Sequence, residues 1–283
     1  MSDLLYQIKN HYNTMTPSAK KIADYLQEHH SNAQYLSISG LAKECGVAEA
    51  TIFRFCKSLG FGGYNEFKLA LARSSITTHP NAYSAYGKLH ASDSMKDMCQ
   101  RLFNSNLQAL RQTLELVDEV QLGLAGDLLT AANRVFCVGF GGSMIAAYEA
   151  WGRFITVSPK FFTVVDGHMQ IMTASLLGPE DVVLFVSYSG STTDAADLLR
   201  PAKARGAKVI LITHYADSLA ASMADVVLLC GGHEGPLQSG SISAKMAMLF
   251  VVDLLVNEFC RRDLETAMHN KDITSNALSC RHL

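Results

Sequence analysis

The chain has 283 residues, of which 48% are hydrophobic and 18% are charged, and its formal net charge is −2. This composition can fill at least one hydrophobic core, which excludes a disordered chain, and the length favours two domains of ordinary size or one large one. The charge is divided unevenly, because residues 1–78 carry a net +2 and residues 79–283 a net −4. A basic head on an acidic body is typical of a protein whose head binds nucleic acid.

The sequence gives no signal for export, membrane insertion or a metal centre. Its N-terminus lacks the basic start and apolar core of a signal peptide. The longest apolar stretch, residues 246–256, is too short to span a bilayer and contains Asp253. The seven cysteines form no Cys-x-x-Cys pair, which favours reduced, buried thiols. We therefore expect a soluble cytoplasmic protein with no membrane partner, no metal and no cofactor.

The first 73 residues predict closely spaced helices. Thr16 and Pro17 are typical of a helix N-cap and a first helical position. Apolar residues at helical spacing mark further helices within residues 38–45, 52–59 and 64–71, and Gly46 and Gly60 are typical helix ends.

Residues 74–94 are rich in Ser, Thr, His, Asn, Pro and Gly, and this composition predicts a linker. Helical spacing returns over residues 95–131. Five apolar side chains of that segment are available for burial: Leu102, Leu107, Leu110, Leu114 and Val117.

The rest of the chain alternates between strands and helices. Short apolar, β-branched runs lie at residues 135–138, 161–165, 182–186, 209–213 and 226–229, and a last helix is predicted over residues 240–261. Strands that alternate with helices form parallel sheets, and continuous apolar runs indicate strands covered on both faces. The predicted fold class is α/β: an N-terminal all-α domain followed by a doubly wound, five-stranded parallel sheet.

Residues 38–59 have the anatomy of a helix-turn-helix, in which the second helix enters the major groove of DNA. Burying the apolar face of that second helix leaves an outward face of residues suited to phosphates or base edges. The predicted DNA contacts are Ala50, Thr51, Arg54, Lys57 and Ser58, with Phe53 at the flank. A small helical bundle with a solvated polar face fits the spacing equally well.

The stretch from Ser39 to Lys68 resembles the DNA-binding head of RpiR-family regulators. That family has a recurrent "gV-s-x-a-T-v-x-R-F-c-k-x-l-G-f-x-G-y-x-e-F-K" pattern. The matching positions are Val47, Thr51, Arg54, Phe55, Gly60, Phe61, Gly63, Phe67 and Lys68. The resemblance adds Lys68 to the predicted DNA contacts. Ala48 stands where the family usually has a Ser that caps the recognition helix, a loss of about 1 kcal/mol unless a neighbour substitutes.

Two loops that follow strands predict a ligand site. The strand at 182–186 runs into Ser187-Tyr188-Ser189-Gly190-Ser191-Thr192-Thr193, and a helix follows. Hydroxyls, a glycine and a helix N-terminus at the carboxyl end of a strand make an anion site, and they are more than a helix cap needs. The first strand runs into Gly139-Phe140-Gly141-Gly142-Ser143. This loop invites comparison with the dinucleotide fingerprint, but Met144 replaces its third glycine, so NAD binding is a minor alternative even though Asp166 ends the second strand.

Together these loops resemble the SIS (sugar isomerase) domain, and residues 206–213 match the strand that follows its second loop. The resemblance implies that Ser143, Ser187, Ser189 and Thr192 hold a sugar phosphate. Gly142 and Ser191 of the same loops, and Asp166 and His168 after the second strand, are further candidate contacts. An RpiR-type head before an SIS domain is that family's own architecture. We expect a helix-turn-helix domain over residues 1–76, a linker over 77–94 and an SIS domain with flanking helices over 95–283.

The resemblance implies a transcriptional regulator, expected to repress sugar-metabolism genes in response to a phosphosugar. Its expected partners are a double-stranded DNA operator, the sugar-phosphate effector and further copies of the chain in a homodimer or homotetramer. Because SIS folds also serve as isomerases, an enzyme with an accessory helical head is the alternative. Five residues could act as a base, but the sequence pairs none of them with a partner, so we expect no catalytic residue: Glu149, His168, His214, His233 and Glu234. Departures from the family pattern at Gln238 and Ala244-Lys245 leave the role of that segment open.

Overall fold

The computed structural model describes residues 4–78, 93–232, 234 and 240–279. The chain divides into two units, one of which contains the N-terminal helices and the other the sheet. None of the helices described is both long and apolar enough to cross a membrane.

The N-terminal unit contains α1 (Leu4–His11), α2 (Pro17–Ala33), α3 (Ile38–Cys45), α4 (Glu49–Ser58) and α5 (Tyr64–Thr78). The predicted start of α2 is confirmed, since the Thr16 side chain accepts a hydrogen bond from the backbone N–H of Ala19. Gly46 ends α3 in the left-handed conformation, with φ of 61°. That conformation favours glycine, and it produces the tight turn between α3 and α4.

The core of this unit gathers the apolar faces of its helices. Ile52, Phe55 and Cys56 of α4 are at most 2% exposed. Phe67 of α5 packs edge-on against Phe55, with ring centroids 5.9 Å apart. These contacts fix which face of α4 is turned to the core, as the helical spacing predicted.

Helices α6 (Met95–Leu116) and α7 (Glu119–Ala131) fill the segment predicted to be helical. The prediction for the buried face of α6 was wrong in part, because Leu102 is 54% exposed and Leu114 is 63% exposed. Ala109 and Thr113 are buried instead. Helix α5 continues to Thr78, two residues into the linker expected over 77–94, and residues 79–92 lie outside the described part of the chain.

Among the residues described, five strands form one parallel sheet in the order β2-β1-β3-β4-β5. They are β1 (Arg134–Gly139), β2 (Phe161–Thr163), β3 (Asp181–Val186), β4 (Lys208–Thr213) and β5 (Val226–Leu229). All six residues of β3 are buried. The predicted doubly wound α/β fold is confirmed, and its winding reverses between β1 and β3.

Helices cover both faces of the sheet. Besides α7, the sheet unit contains α8 (Ser143–Phe154), α9 (Gly167–Ala174), α10 (Thr193–Ala204), α11 (Leu219–Met223), α12 (Ile242–Arg262) and α13 (Leu264–Ser279). The core on one face draws on α7, α8 and α12, and the core on the other draws on α9, α10 and α11. The sequence prediction ended with one helix over 240–261, so α13 was missed.

Candidate ligand and DNA sites

The two predicted ligand loops leave the sheet side by side. Gly139, the last residue of β1, pairs with Val186, the last residue of β3. A Cβ atom on Gly139 would lie 2.9 Å from the Val186 carbonyl oxygen and 3.1 Å from the backbone of Ser143. Glycine therefore lets the first loop turn tightly over the end of β3, and it brings residues 140–143 and 187–192 to the same edge of the sheet.

A direct hydrogen bond joins the loops. The Oγ atom of Ser143, at the start of α8, accepts from the backbone N–H of Tyr188 at 3.3 Å. Gly142 precedes α8 and offers no side-chain cap. The N-terminus of this 12-residue helix therefore lies beside the second loop, where its partial positive charge favours an anion.

The hydroxyls of the second loop accept hydrogen bonds from its own backbone. Ser187 Oγ accepts from the N–H of Gly190 at 3.2 Å, and Ser189 Oγ accepts from the N–H of Ser191 at 3.4 Å. Thr192 Oγ1 caps the N-terminus of α10 by accepting from the N–H of Ala195 at 3.3 Å. Each of these three hydroxyls keeps its own hydrogen for donation, which is the arrangement an anion requires.

Gly190 shapes this loop through a left-handed backbone with φ of 59°. A side chain there would overlap Ser218, and the Gly190 carbonyl accepts from the N–H of Ala220 at 2.8 Å. The loop is therefore held against the start of α11. Ser191 is exposed and donates to the Ser189 carbonyl at 3.1 Å, so its hydroxyl is already committed within the loop.

Asp166 and His168 lie after β2, the neighbour of β1 in the sheet. Both are exposed. The Asp166 carboxylate caps α9 by accepting from the N–H of Met169 at 2.9 Å, which leaves its second oxygen free of a helix role. Parallel strands end at one edge, so these side chains share the edge of the hydroxyl loops.

Gln170 is a buried neighbour of the site that the sequence analysis missed. Its Nε2 atom donates to the carbonyl oxygens of Val164 at 2.8 Å and Gly139 at 3.3 Å. It thereby ties the segment before Asp166 to the end of β1. Its Oε1 atom is buried and has no hydrogen-bond partner among the described residues. A glutamine within the apolar run of α9 was the available signal.

Tyr188 and His214 were also missed as a pair. Their rings stack with centroids 5.0 Å apart and an interplanar angle of 6°. The Nδ1 atom of His214 lies 2.9 Å from the Cys230 carbonyl, which can only accept, so Nδ1 carries the proton. This bond fixes the imidazole in a structural position at the carboxyl ends of β4 and β5.

Two of the other candidate bases lie among the described residues. Glu149 is exposed on α8, and Glu234 accepts from the backbone N–H of Ser241 at 2.7 Å. His233 and Gln238 lie outside the described residues. Ala244 is fully buried in α12 against Gly232. The described part of the chain has no group of three or more His, Cys, Asp or Glu side chains placed to hold a metal ion.

A cavity of about 370 Å³ lies elsewhere in the sheet unit, among α7, β5 and α12. Its lining includes Leu122, Val227, Leu228 and Val251, and it includes none of the predicted ligand residues. The hydroxyl loops therefore form a surface site at the sheet edge rather than part of this cavity.

The predicted DNA face of α4 is turned outward. Ala50, Phe53, Arg54, Lys57 and Ser58 are exposed, and Thr51 is half-buried. Arg54 donates to Thr51 Oγ1 at 3.3 Å, and the Lys57 ammonium lies 5.5 Å from the centre of the Phe53 ring. The result is a continuous exposed face with two positive charges and one large apolar side chain.

Lys68 lies on α5 rather than on α4 and, like Thr51, is half-buried. Burial lowers the pKa of Lys68 to about 8. Ala48 has extended backbone at the start of α4 and makes no side-chain cap, so the loss of the family's Ser is not compensated by a cap at this position.

The two units define a class of protein, a helix-turn-helix head joined to an SIS-type α/β unit. Residues 2–77 match the helix-turn-helix domain of the rpiR family, and residues 128–258 match the SIS domain. The chain is 32% identical over 275 residues to an HTH-type transcriptional regulator of Clostridium perfringens, which covers 97% of this chain and 98% of that protein. This chain belongs to the RpiR family of HTH-type transcriptional regulators.

Two solved structures are similar over different lengths. The Vibrio vulnificus NanR protein complexed with ManNAc-6P has a TM-score of 0.87 and 26% identity, and the match covers 97% of each chain. The sugar isomerase domain of an RpiR transcription factor from Sphaerobacter thermophilus has a TM-score of 0.57 and 24% identity, covering 63% of this chain and 98% of that one. The second likeness shows the shared SIS fold.

Proposed function

We propose that this regulator is a sugar-phosphate-responsive repressor of sugar-metabolism genes. The observation that carries the proposal is the pairing of Gly139 with Val186, which brings both hydroxyl loops to one edge of the sheet. In open parallel sheets, ligands bind outside the carboxyl ends of the strands where the winding reverses, and here that point lies between β1 and β3.

Two kinds of group face the phosphate end of the ligand in this proposal: side-chain hydroxyls and helix N-termini. Ser143, Ser187 and Ser189 supply hydroxyls, Thr192 supplies another at the start of α10, and two helix N-termini add partial positive charge. Ser191 and Gly142 complete the two loops. Asp166 and His168 would contact the sugar, because both are exposed after the neighbouring strand β2. The ManNAc-6P complex of NanR supports a phosphosugar as the chemical class.

DNA binding is assigned to the outward face of α4. Arg54 and Lys57 would contact phosphates or guanine edges, Ala50, Thr51 and Ser58 would approach the backbone or bases, and Phe53 would contact thymine methyl groups. Lys68 would add a phosphate contact. One helix-turn-helix reads too few base pairs for a unique operator, so the acting species is a homodimer or homotetramer on a palindromic site.

Regulation, rather than catalysis, is the role we propose for the bound sugar. Of the candidate bases, His214 is fixed by the Cys230 carbonyl and Glu234 by the N–H of Ser241. Incubation of the protein with a panel of hexose and pentose phosphates should leave every sugar unchanged. Turnover that disappears on substitution of His168 or Glu149 would instead support the isomerase alternative.

The test is fluorescence anisotropy of the full chain on DNA from upstream of its own gene, at fixed salt, with sugar phosphates titrated into the complex. We expect sequence-preferring binding that one sugar phosphate weakens. Ser189→Ala should bind DNA like the wild type and lose the response. Ser222→Ala is the matched control, because this exposed hydroxyl on α11 bonds only to the Leu219 carbonyl among the described residues. Equal affinity for operator and random DNA would contradict the proposal.

A further inference from the structure

Tyr188 lies between Ser187 and Ser189, two residues that we propose bind the phosphate. Hydrogen bonds fix both its backbone and its side chain. Its N–H donates to Ser143 Oγ, and its carbonyl accepts from the N–H of His214 at 3.0 Å and from Thr213 Oγ1 at 3.1 Å. Its phenol O–H donates to the carbonyl of Gly232 at 2.7 Å. A shift of the second loop at Tyr188 must therefore also displace the segment that follows β5.

That segment lies directly on α6. The N–H of Gly231 donates to Thr113 Oγ1 at 3.0 Å, and the N–H of Gly232 donates to Gln112 Oε1 at 3.2 Å. A Cβ atom on Gly231 would lie 2.6 Å from the Cβ of Gln112 and 2.8 Å from the backbone nitrogen of Thr113. No side chain fits at Gly231, so the backbone of this segment packs directly against α6, without intervening side chains that could adjust.

Helix α6 begins at Met95 and follows, along the chain, the segment that leads from the helix-turn-helix. We propose that Tyr188 is a positioning residue that couples occupancy of the phosphate site to the placement of α6, through the carbonyl of Gly232 and the side chain of Gln112. The inference rests on the proposed phosphate site. It states that ligand binding at that site is transmitted through the phenol of Tyr188 to helix α6.

The physical basis is that the loop hydroxyls accept hydrogen bonds from the backbone and can donate to an anion at the same time. Ser143 Oγ now accepts from Tyr188, and Ser187 and Ser189 accept from their own loop. An anion draws these hydroxyls toward itself and changes the preferred position of the backbone at Tyr188. Because the phenol is bonded to Gly232, the ligand binds one placement of α6 better than another, which is the requirement for a ligand to shift an equilibrium.

Hydrogen–deuterium exchange of the full chain tests this, with inorganic phosphate and then ManNAc-6P as probes against chloride of equal ionic strength. In the wild type, peptides of residues 187–195 and of residues 107–116 should both change, the second by about fivefold in exchange rate, the lower end of typical coupling between sites. In Tyr188→Phe, which keeps the ring stack on His214, the first change should remain and the second should disappear. We call the hydrogen-bonded path from Tyr188 through Gly232 to Gln112 the relay. Gln112→Leu breaks the relay at its α6 end and should give the same result.

Tyr148→Phe is the matched control, since it removes the same O–H from an exposed ring on α8 and should behave as the wild type. Thermal melting of each variant shows that the fold is retained. A change at 107–116 that persists in Tyr188→Phe overturns the inference, as does a wild type in which only 187–195 responds. If neither probe changes 187–195, the proposed phosphate site itself fails and the relay fails with it.

Discussion

Ser143 Oγ accepts a hydrogen bond from the backbone N–H of Tyr188 at 3.3 Å, so a single hydroxyl joins the loop after β1 to the loop after β3. In the proposed complex this hydroxyl also donates to the phosphate. Ser143→Ala should therefore weaken sugar-phosphate binding by about 10- to 100-fold, because a hydrogen bond to a charged group contributes about 1.5–3 kcal/mol.

Isothermal titration calorimetry with the sugar phosphate that alters DNA binding measures this loss. Ser175→Ala is the control, because Ser175 is half-buried at the end of α9 and, among the described residues, its Oγ bonds only to the Met172 carbonyl. Equal affinities of Ser143→Ala and the wild type would show that the first loop does not hold the phosphate.

Arg54 is the sharpest test of the DNA face. Arg54→Ala should lower operator affinity, and if the lost contact is to phosphate, the slope of log affinity against log salt should decrease by about 1. Arg73→Ala removes the same charge from an exposed position on α5 outside the predicted face, so it separates a specific contact from loss of net charge. Anisotropy titrations at several salt concentrations give both quantities. Equal losses in the two variants would mean that α4 is not the recognition helix.

The lowered pKa of Lys68 leads us to predict that DNA binding depends on pH. Burial lowers the pKa of Lys68 to about 8, and a nearby DNA phosphate would raise it again. Operator binding then takes up a proton near pH 8, so affinity is highest below that pH and is lost as pH rises. Between pH 7 and pH 9 the loss should approach about tenfold, because one pH unit above a pKa leaves about a tenth of the group protonated.

Lys68→Arg checks this directly, since arginine stays charged over the whole range and should flatten the profile. The thiols of Cys45 and Cys56 do not titrate in this window, because burial raises the pKa of Cys45 to about 11 and that of Cys56 to about 12. Identical pH profiles for wild type and Lys68→Arg would remove Lys68 from the predicted DNA contacts.

The strands and the second helix of the helix-turn-helix could be predicted because their burial is uniform along an element. All of β3 is buried, so its apolar run is continuous. Helix α4 buries one face, so its apolar residues recur at helical spacing. Helix α13 gave no such signal, since Ala267 is its one buried residue among those described. The buried face of α6 was misjudged because the backbone at Gly231 lies close against Ala109, Gln112 and Thr113, a contact that apolar spacing does not show.

Parts of the candidate site were hidden for a related reason. Sequence patterns identify hydroxyls and glycines next to each other in the chain, and those residues now share one sheet edge. The roles of Gln170 and Tyr188 depend on carbonyl oxygens 31 and 44 residues away, at Gly139 and Gly232. Hydrogen bonds between residues so far apart in the chain produce no periodic pattern in the sequence.

Ala48 offers a gain in stability. Its backbone has φ of −77° and ψ of 151°, the extended geometry of an N-cap, and its own side chain offers no oxygen to the first N–H groups of α4. Ala48→Ser should stabilise the helix-turn-helix unit by about 1 kcal/mol. Ala48→Val fits the same backbone but adds no acceptor, so it should give no gain. Thermal or urea unfolding followed at 222 nm compares the two, and equal stabilities would mean that the capping argument is wrong.

Two glycine-to-alanine substitutions should change stability in opposite directions. Gly231→Ala places a methyl group against the Cβ of Gln112 and the backbone of Thr113, and separating β5 from α6 should cost about 1–3 kcal/mol or more. Gly152 lies inside α8 with nothing within 4 Å of the added atom, so Gly152→Ala should stabilise the sheet unit by about 0.5–1 kcal/mol. Urea titrations give both free energies of unfolding. A Gly231→Ala protein as stable as the wild type would show that α6 yields at this contact, and a helix that yields so readily could not carry the movement of Tyr188 that the relay requires.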